Sequence, residues 1–425
     1  MFNFSYKQGL FLISLLIIIS LSLSVVSGVE DSTLNNISDD SDSIGVVSTD
    51  IENSQDIEVS NLEVSNNDKN TQEISNVSAD NTFATIQQQI NSASAGSTIR
   101  LSGTYVGSGS QIILNKSLTI DGQGATLNGK NLSRIFSVTA SNCIIKNIRF
   151  INGYDSNHQI ENSGIIDWSG SNGRLINCTF TGAYVTGYGG SVYWRGNKGT
   201  INNCTFINSH STTYGGSIYW DGANGVVNNS NFIGSTGLSG GSIYWGGVNG
   251  TLSNSNFINS SVSNYGGSAY WKGGYGKIYN CSFNNSIGDH SGGAIYYEGI
   301  NCSIENSTFF NCSLVKSDVD GGAIYVGAAN FTINNCNFTS NHATRNGGGI
   351  AVYSNAYNAR VENCIFDKCT ASSGGAIYLD NITSGASTYK IIYSTFKNCS
   401  ASGDGGAIYI VGDSNIIDSC DFLDC

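Results

Sequence analysis

The chain predicts an all-β solenoid, a parallel β-helix, on three observations: a motif pair recurring about every 26 residues, no helical periodicity within the repeat, and no proline among its 425 residues. The first half of the motif is Gly-Gly-small-Ile-Tyr. Its Gly pairs begin at Gly189, Gly215, Gly240, Gly266, Gly292, Gly321, Gly347, Gly374 and Gly405, with Ser163-Gly164-Ile165 as a degenerate unit before them. The second half is Asn-Cys/Ser-x-Phe, fixed by Phe150, Phe180, Phe206, Phe232, Phe257, Phe283, Phe309, Phe338, Phe366, Phe396 and Phe422. Proline is unwelcome where nearly every backbone N–H is needed for pairing between coils.

Each repeat divides into three short strands separated by turns, taking Gly-Gly-Ser-Ile-Tyr-Trp, Thr200-Ile201-Asn202 and Cys204-Thr205-Phe206 as the pattern. Equivalent positions in successive coils then lie roughly 4.8 Å apart, so like side chains stack on like. Asn at the recurrent turns tolerates a left-handed φ and bonds along its own stack. The Gly pair admits the sharp bend into the strand. Phe83, Ile86, Ile90 and Ala93 fall at helical spacing, which predicts a helix over 82–95 covering the N-terminal end of the solenoid. Irregular early coils follow, with strands at 98–101, 111–114 and 117–120 and a turn at Asp121-Gly122. About eleven coils give a rod of roughly 50 Å.

The chain divides into three stretches. Residues 1–28 carry Lys7 and an apolar run from Leu10 to Val26, the pattern of a secretory signal peptide, with an uncleaved membrane anchor as the alternative. Residues 29–80 hold 13 acidic residues and one basic residue, which predicts a disordered, self-repelling tether. Residues 81–425 form the solenoid. The formal charge of −12 resides mainly in the tether, since the body has 18 acidic and 17 basic residues. A near-neutral body argues against a nucleic-acid partner.

Twelve Cys in an exported chain raise the question of disulfides. Six precede a repeat Phe by two residues, where Ser230, Ser255, Ser307 and Ser394 substitute for them, and four follow one by three. The position therefore calls for a small buried side chain, with bridges between adjacent coils, such as Cys178 to Cys204 or Cys336 to Cys364, as the alternative. No zinc-like spacing is present, so neither a metal nor another cofactor is expected.

The alternation of Gly292-Gly293-Ala294-Ile295 with Phe309-Phe310-Asn311-Cys312 resembles the polymorphic outer membrane protein repeat. Ala84-Thr85-Ile86-Gln87 and Leu118-Thr119-Ile120-Asp121-Gly122 resemble the start of the β-helix in archaeal adhesin-like proteins. The resemblance spans 82–425 and implies a single-stranded right-handed parallel β-helix of the pectin lyase-like superfamily, at a cell surface or outer membrane, with adhesion as its role. No autotransporter barrel or C-terminal anchor is visible, and the sequence ends inside a coil at Asp421 to Cys425, so the expectation is either that it is a fragment truncated at the C-terminus or that its last coil is exposed.

All five Trp share one repeat position, Trp168, Trp194, Trp220, Trp245 and Trp271. One residue earlier runs a Tyr ladder: Tyr193, Tyr219, Tyr244, Tyr270, Tyr296 and Tyr325, then Tyr378 and Tyr409. Strand neighbours face opposite ways, so Ile and Trp are assigned to the core, and Tyr to the outside together with Arg195, Asp221, Lys272, Glu298 and Asp380. An outer Tyr row suits sugars stacking on ring faces. Those Tyr are the candidate glycan-binding residues, against the alternative that the rings only stabilise coil packing.

No catalytic residues are expected. The lyase and hydrolase reactions known for β-helices are expected to need two or more convergent carboxylates, or a metal-bound carboxylate cluster with a basic residue, and the row after Trp never places two acids on neighbouring coils. Glu305 and Glu362 lie two coils apart, roughly 9.6 Å by strand spacing. His210 and His342 are five coils apart, and His158 and His290 are expected in solvated loops. Of the glycosylation sequons, Asn177 and Asn203 are explained by turn geometry, which leaves Asn131 and Asn381 as better acceptors. The sequence thus predicts an exported, non-enzymatic surface protein binding glycans or partner-cell surfaces, with a secreted polysaccharide lyase or glycoside hydrolase as the alternative.

Overall fold

The computed structural model describes residues 81–155, 165–353, 356–380, 388–412 and 415–425. The signal and tether stretches, His158 and Asn381 lie outside the described residues. The described chain forms one β-solenoid whose strands all pair in parallel with the equivalent strand of the next coil. Two sheets have thirteen strands each and one has twelve. Sheet 1 runs from Thr98–Arg100 to Ile416–Asp418, sheet 2 from Ile112–Leu114 to Ile408–Val411, and sheet 3 from Thr104–Val106 to Asp421–Leu423.

A fourth sheet departs from the three-strand expectation. Two-residue strands, such as Tyr184–Val185 and His210–Ser211, form a seven-stranded ladder between sheets 3 and 2. Each is too short to show a period of two in sequence. Directly before two of these strands the coil is also tied by buried Ser pairs, Ser191 to Ser209 at 2.8 Å and Ser217 to Ser235 at 2.7 Å. Those partner positions three residues after Phe hold Cys in later coils.

Side-chain alternation is as the sequence predicts. Phe206 meets Phe232 and Trp220 meets Trp245 in register, with all four fully buried. The Asn turns have φ near +50°, as at Asn177, Asn203 and Asn229, and Asn203 donates to Asn177 Oδ1 at 3.2 Å. The first Gly of each pair has positive φ, 68° at Gly215; a Cβ on the second, Gly216, would overlap the Gly241 carbonyl of the next coil. Ten of the twelve Cys are buried, and all twelve are free thiols; Cys178, for example, donates to the Ile176 carbonyl at 3.3 Å.

The helix α1 (Phe83–Ser92) covers the N-terminal coil with Phe83, Ile86 and Ile90 buried. Lys116 Nζ closes its C-terminal end by donating to the carbonyls of Ile90, Asn91 and Ala93. Among the described residues, no helix is long and apolar enough to cross a membrane.

Candidate functional site

The outer face of sheet 2 collects the chemistry. Tyr193, Tyr219, Tyr244, Tyr270, Tyr296 and Tyr325 are paired in register on six successive strands, with Ala351 in the following one. They are on the outer face as expected, but they do not offer their ring faces. Tyr219 stacks on Tyr244 at 4.8 Å, Tyr244 on Tyr270 at 4.9 Å and Tyr296 on Tyr325 at 4.6 Å, so each face is spent on its neighbour. Tyr193 and Tyr244 are only 8% exposed. The surface therefore presents a comb of ring edges and hydroxyls at coil spacing, and sugar stacking on the ring faces is ruled out for the stacked members.

Burial keeps these phenols protonated. It pushes Tyr244 and Tyr325 up to about 12 and raises Tyr219, Tyr270 and Tyr296 well above the ordinary phenol value, with nearby acids adding to the effect. The comb is a row of hydrogen-bond donors. Tyr270 spends its hydroxyl on the Glu298 carboxylate.

Two features lay outside the sequence reading. Tyr188, Tyr214 and Tyr265, each just before a Gly pair, lean over the floor Tyr of the following coil. Their centroids stand 4.7 Å from Tyr219, 5.0 Å from Tyr244 and 4.7 Å from Tyr296. They flank the Tyr row on one side, and Arg195, Asp221, Gly246, Lys272 and Glu298 follow it in sequence on the other. The second feature is Asp167, which holds the Tyr position one coil before Tyr193. Arg195 binds both of its oxygens at 2.8 Å, Arg134 binds one at 3.3 Å, and the Arg195 guanidinium lies 5.1 Å over the Tyr193 ring. At the far end Arg345 pairs with Asp320, and Asn346 donates to Tyr353 Oη at 2.9 Å. The repeat signal could have exposed Asp167, because Ile166-Asp167-Trp168 aligns with Val192-Tyr193-Trp194.

The remaining candidates stay apart. Glu305 and Glu362 flank Asn334 in register, two coils apart, and Glu362 pairs with Arg360. His210 stacks on Tyr184 at 4.8 Å and shares a hydrogen with Thr236 Oγ1 at 2.7 Å. His342 does the same with Thr370 at 2.8 Å. His290, expected to be solvated, is half-buried with its ring 5.4 Å from Tyr265. Among the described residues, no group of three or more His, Cys, Asp or Glu is placed to hold a metal ion.

Residues 190–366 match the family model described as a right handed beta helix region. The fold is a right-handed parallel β-helix. No curated protein matches the chain by sequence. Solved β-helix structures match over most of its length. A PL6 family polysaccharide lyase from Pseudopedobacter saltans is 14% identical with a TM-score of 0.52, covering 80% of this chain and 91% of that one. A mannuronic acid specific family 6 lyase from human gut microbiota is 14% identical, with a TM-score of 0.51 and coverage of 79% and 85%. A PL6 alginate lyase in complex with a trisaccharide is 14% identical, with a TM-score of 0.51 and coverage of 80% and 81%.

These matches correct the expectation of a non-enzymatic protein. That expectation leaned on analogy with surface proteins, whereas the three solved structures just named are polysaccharide lyases. It also asked lyases and hydrolases alike for convergent or metal-bound carboxylates. A lyase breaks its bond by elimination, which calls for a proton acceptor and a stabilising cation rather than a pair of carboxylates.

Proposed function

We propose that this β-helix is a carbohydrate-active enzyme of lyase type, exported by its N-terminal apolar run, which holds a polysaccharide in the groove over sheet 2. The observation that carries this reading is the unbroken phenol comb, Tyr193 to Tyr325, bordered by charged side chains. An extended polysaccharide advances by about one ring per residue, close to the strand spacing of roughly 4.8 Å. Sugar hydroxyls then meet the more exposed phenols, Tyr219, Tyr296 and Tyr325, and Lys272 supplies a cation for acidic substituents. The acids in the bordering row, Asp221 and Glu298, are three coils apart, roughly 14 Å by strand spacing, too far to serve as a hydrolytic pair. The solved lyases that match the fold support the same class.

The test uses the full chain against acidic and neutral polysaccharides, following the ultraviolet absorbance of the unsaturated ends that elimination leaves. Cleavage of an acidic polymer is expected. Replacing Tyr219 and Tyr325 together by Phe keeps the ring stack and removes two donors, which weakens binding by about 2 kcal/mol, on the order of thirtyfold. A wild-type chain that neither cleaves nor retains any polysaccharide would refute the reading.

A further inference from the structure

Charge is not spread evenly along the solenoid. Residues 81–200 hold nine basic and four acidic residues, whereas residues 201–425 hold eight and fourteen. Two of those four acids are already matched. Asp167 is held by Arg134 and Arg195. Asp121 stands in register between Arg100 and Lys146 on the outer face of sheet 1, with Lys146 Nζ 3.3 Å from its Oδ2. Arg149 and Arg174 are exposed, and among the described residues neither is paired with an acid.

Arg149 opens onto a pocket at the corner where sheet 1 turns into sheet 3, the edge of the coil that sheet 2 does not share. The next two coils turn this corner in two residues, Asn147-Ile148 and Asn177-Cys178, but the stretch between Thr119–Asp121 and Thr126–Asn128 takes four. The longer stretch reaches over to the coil that follows, where Gly124 N donates to the Asn147 carbonyl at 2.8 Å. Beside it lies a shallow pocket of about 360 Å³ whose lining includes Gln123, Asn147, Arg149, Asn177 and Thr179.

The pocket offers donors, while its side-chain acceptors are already engaged. Along the Asn column each oxygen receives the amide of the next coil. Asp121 Oδ1 accepts from Asn147 at 2.8 Å, Asn147 Oδ1 from Asn177 at 2.8 Å, and Asn177 Oδ1 from Asn203 at 3.2 Å. Each Asn Nδ2 carries two hydrogens and spends one of them in the column. The Thr179 hydroxyl and the Arg149 guanidinium add to this set. A ligand rich in lone pairs and negatively charged suits such a lining, and the planar fork of Arg matches a carboxylate.

We propose that this corner pocket binds the carboxylate of a uronate unit in an acidic polysaccharide, with Arg149 receiving the charge and Thr179 and the Asn amides completing the contacts. The inference rests on the polysaccharide-active reading for the kind of polymer, and it places a second contact away from the Tyr row. Arg174, on the strand of sheet 1 that follows Lys146, continues the positive face. A polymer held at this corner stays close to the protein when it leaves the Tyr row, so the two contacts raise retention together.

The experiment uses the full chain and immobilised alginate, with dextran as the uncharged control. Wild type is expected to be retained by alginate and released by salt, since exposed charges are screened. Arg149→Gln should lower the affinity for alginate about tenfold. Arg149→Lys keeps the charge, loses the fork and should lower it less, and Arg174→Gln should lower it about threefold. All three should unfold at the wild-type temperature, because neither arginine is tied to an acid. If Arg149→Gln is retained as strongly as wild type, the pocket is overturned, and the reading of the Tyr row stands as long as the paired Tyr219→Phe and Tyr325→Phe variant loses affinity. If Arg149→Gln loses affinity and the paired Tyr variant does not, the pocket stands and the Tyr row falls. A wild-type chain that alginate does not retain, or that dextran retains as firmly, overturns the pocket.

Discussion

Replacing Trp220 by Ala should open the solenoid locally while leaving its ends intact. The indole is fully buried, stacks on Trp194 at 4.8 Å and on Trp245 at 5.0 Å, and donates to the Gly222 carbonyl at 2.9 Å. It also lies against Gly225, where a Cβ would overlap the ring, so no neighbouring side chain stands ready to fill the space. Removal of a buried Trp costs about 3–5 kcal/mol, and two broken ring stacks place this site at the upper end, about 5 kcal/mol. Trp220→Phe keeps a ring in the column and loses the indole N–H and part of the volume, for about 2 kcal/mol. Urea unfolding gives the totals, and amide hydrogen exchange gives the location. Because coils contact only their neighbours, faster exchange should be confined to coils around 194–250 in the Ala variant. A destabilisation below about 1 kcal/mol, or equal losses for Ala and Phe, would refute the view that the Trp column holds these coils together.

Other outcomes follow from the same geometry. Asn203→Ala forces a side chain into φ 53° and removes the bond to Asn177, costing about 2 kcal/mol, whereas Asn203→Gly keeps the conformation and costs about half as much in thermal unfolding. Gly216→Ala, which drives a methyl into the next coil's carbonyl, should prevent cooperative folding as judged by near-ultraviolet circular dichroism. Burial lowers the His210 value below 6.5, so the folded state binds fewer protons there than the unfolded chain. Stability is therefore retained above 6.5 and lost as pH falls through the lowered value, and His210→Gln should flatten that part of the melting-temperature profile.

The sequence disclosed the scaffold because the scaffold is written in repeats. Parity alone separated Trp from Tyr, and the buried Trp column with the outer Tyr row bears it out. The site was less legible. Ring orientation along a stack has no sequence signature, so the Tyr were read as open faces when they stand edge-on. Tyr188, Tyr214 and Tyr265 reach the groove from turns, where alternation assigns no face. Asp167 was hidden by its chemistry, being an acid in a Tyr column, and Arg134 meets it from 33 residues upstream. The expectation of a non-enzymatic protein came from a search for neighbouring acids, whereas the row beside the Tyr interleaves Asp221 and Glu298 with Arg195 and Lys272.

The in-register stacking of coils also bears on how such a chain changes over generations. A stretch of DNA encoding one repeat can be copied or lost without creating a foreign junction, because the coil above and the coil below each still meet their own kind. Such an event lengthens or shortens the outer face by a single rung, and a change at an outward position such as Gly246 then rewrites one rung without disturbing the column beneath it. Inheritance in this fold works in whole increments of structure, with chemistry edited afterwards on the outside.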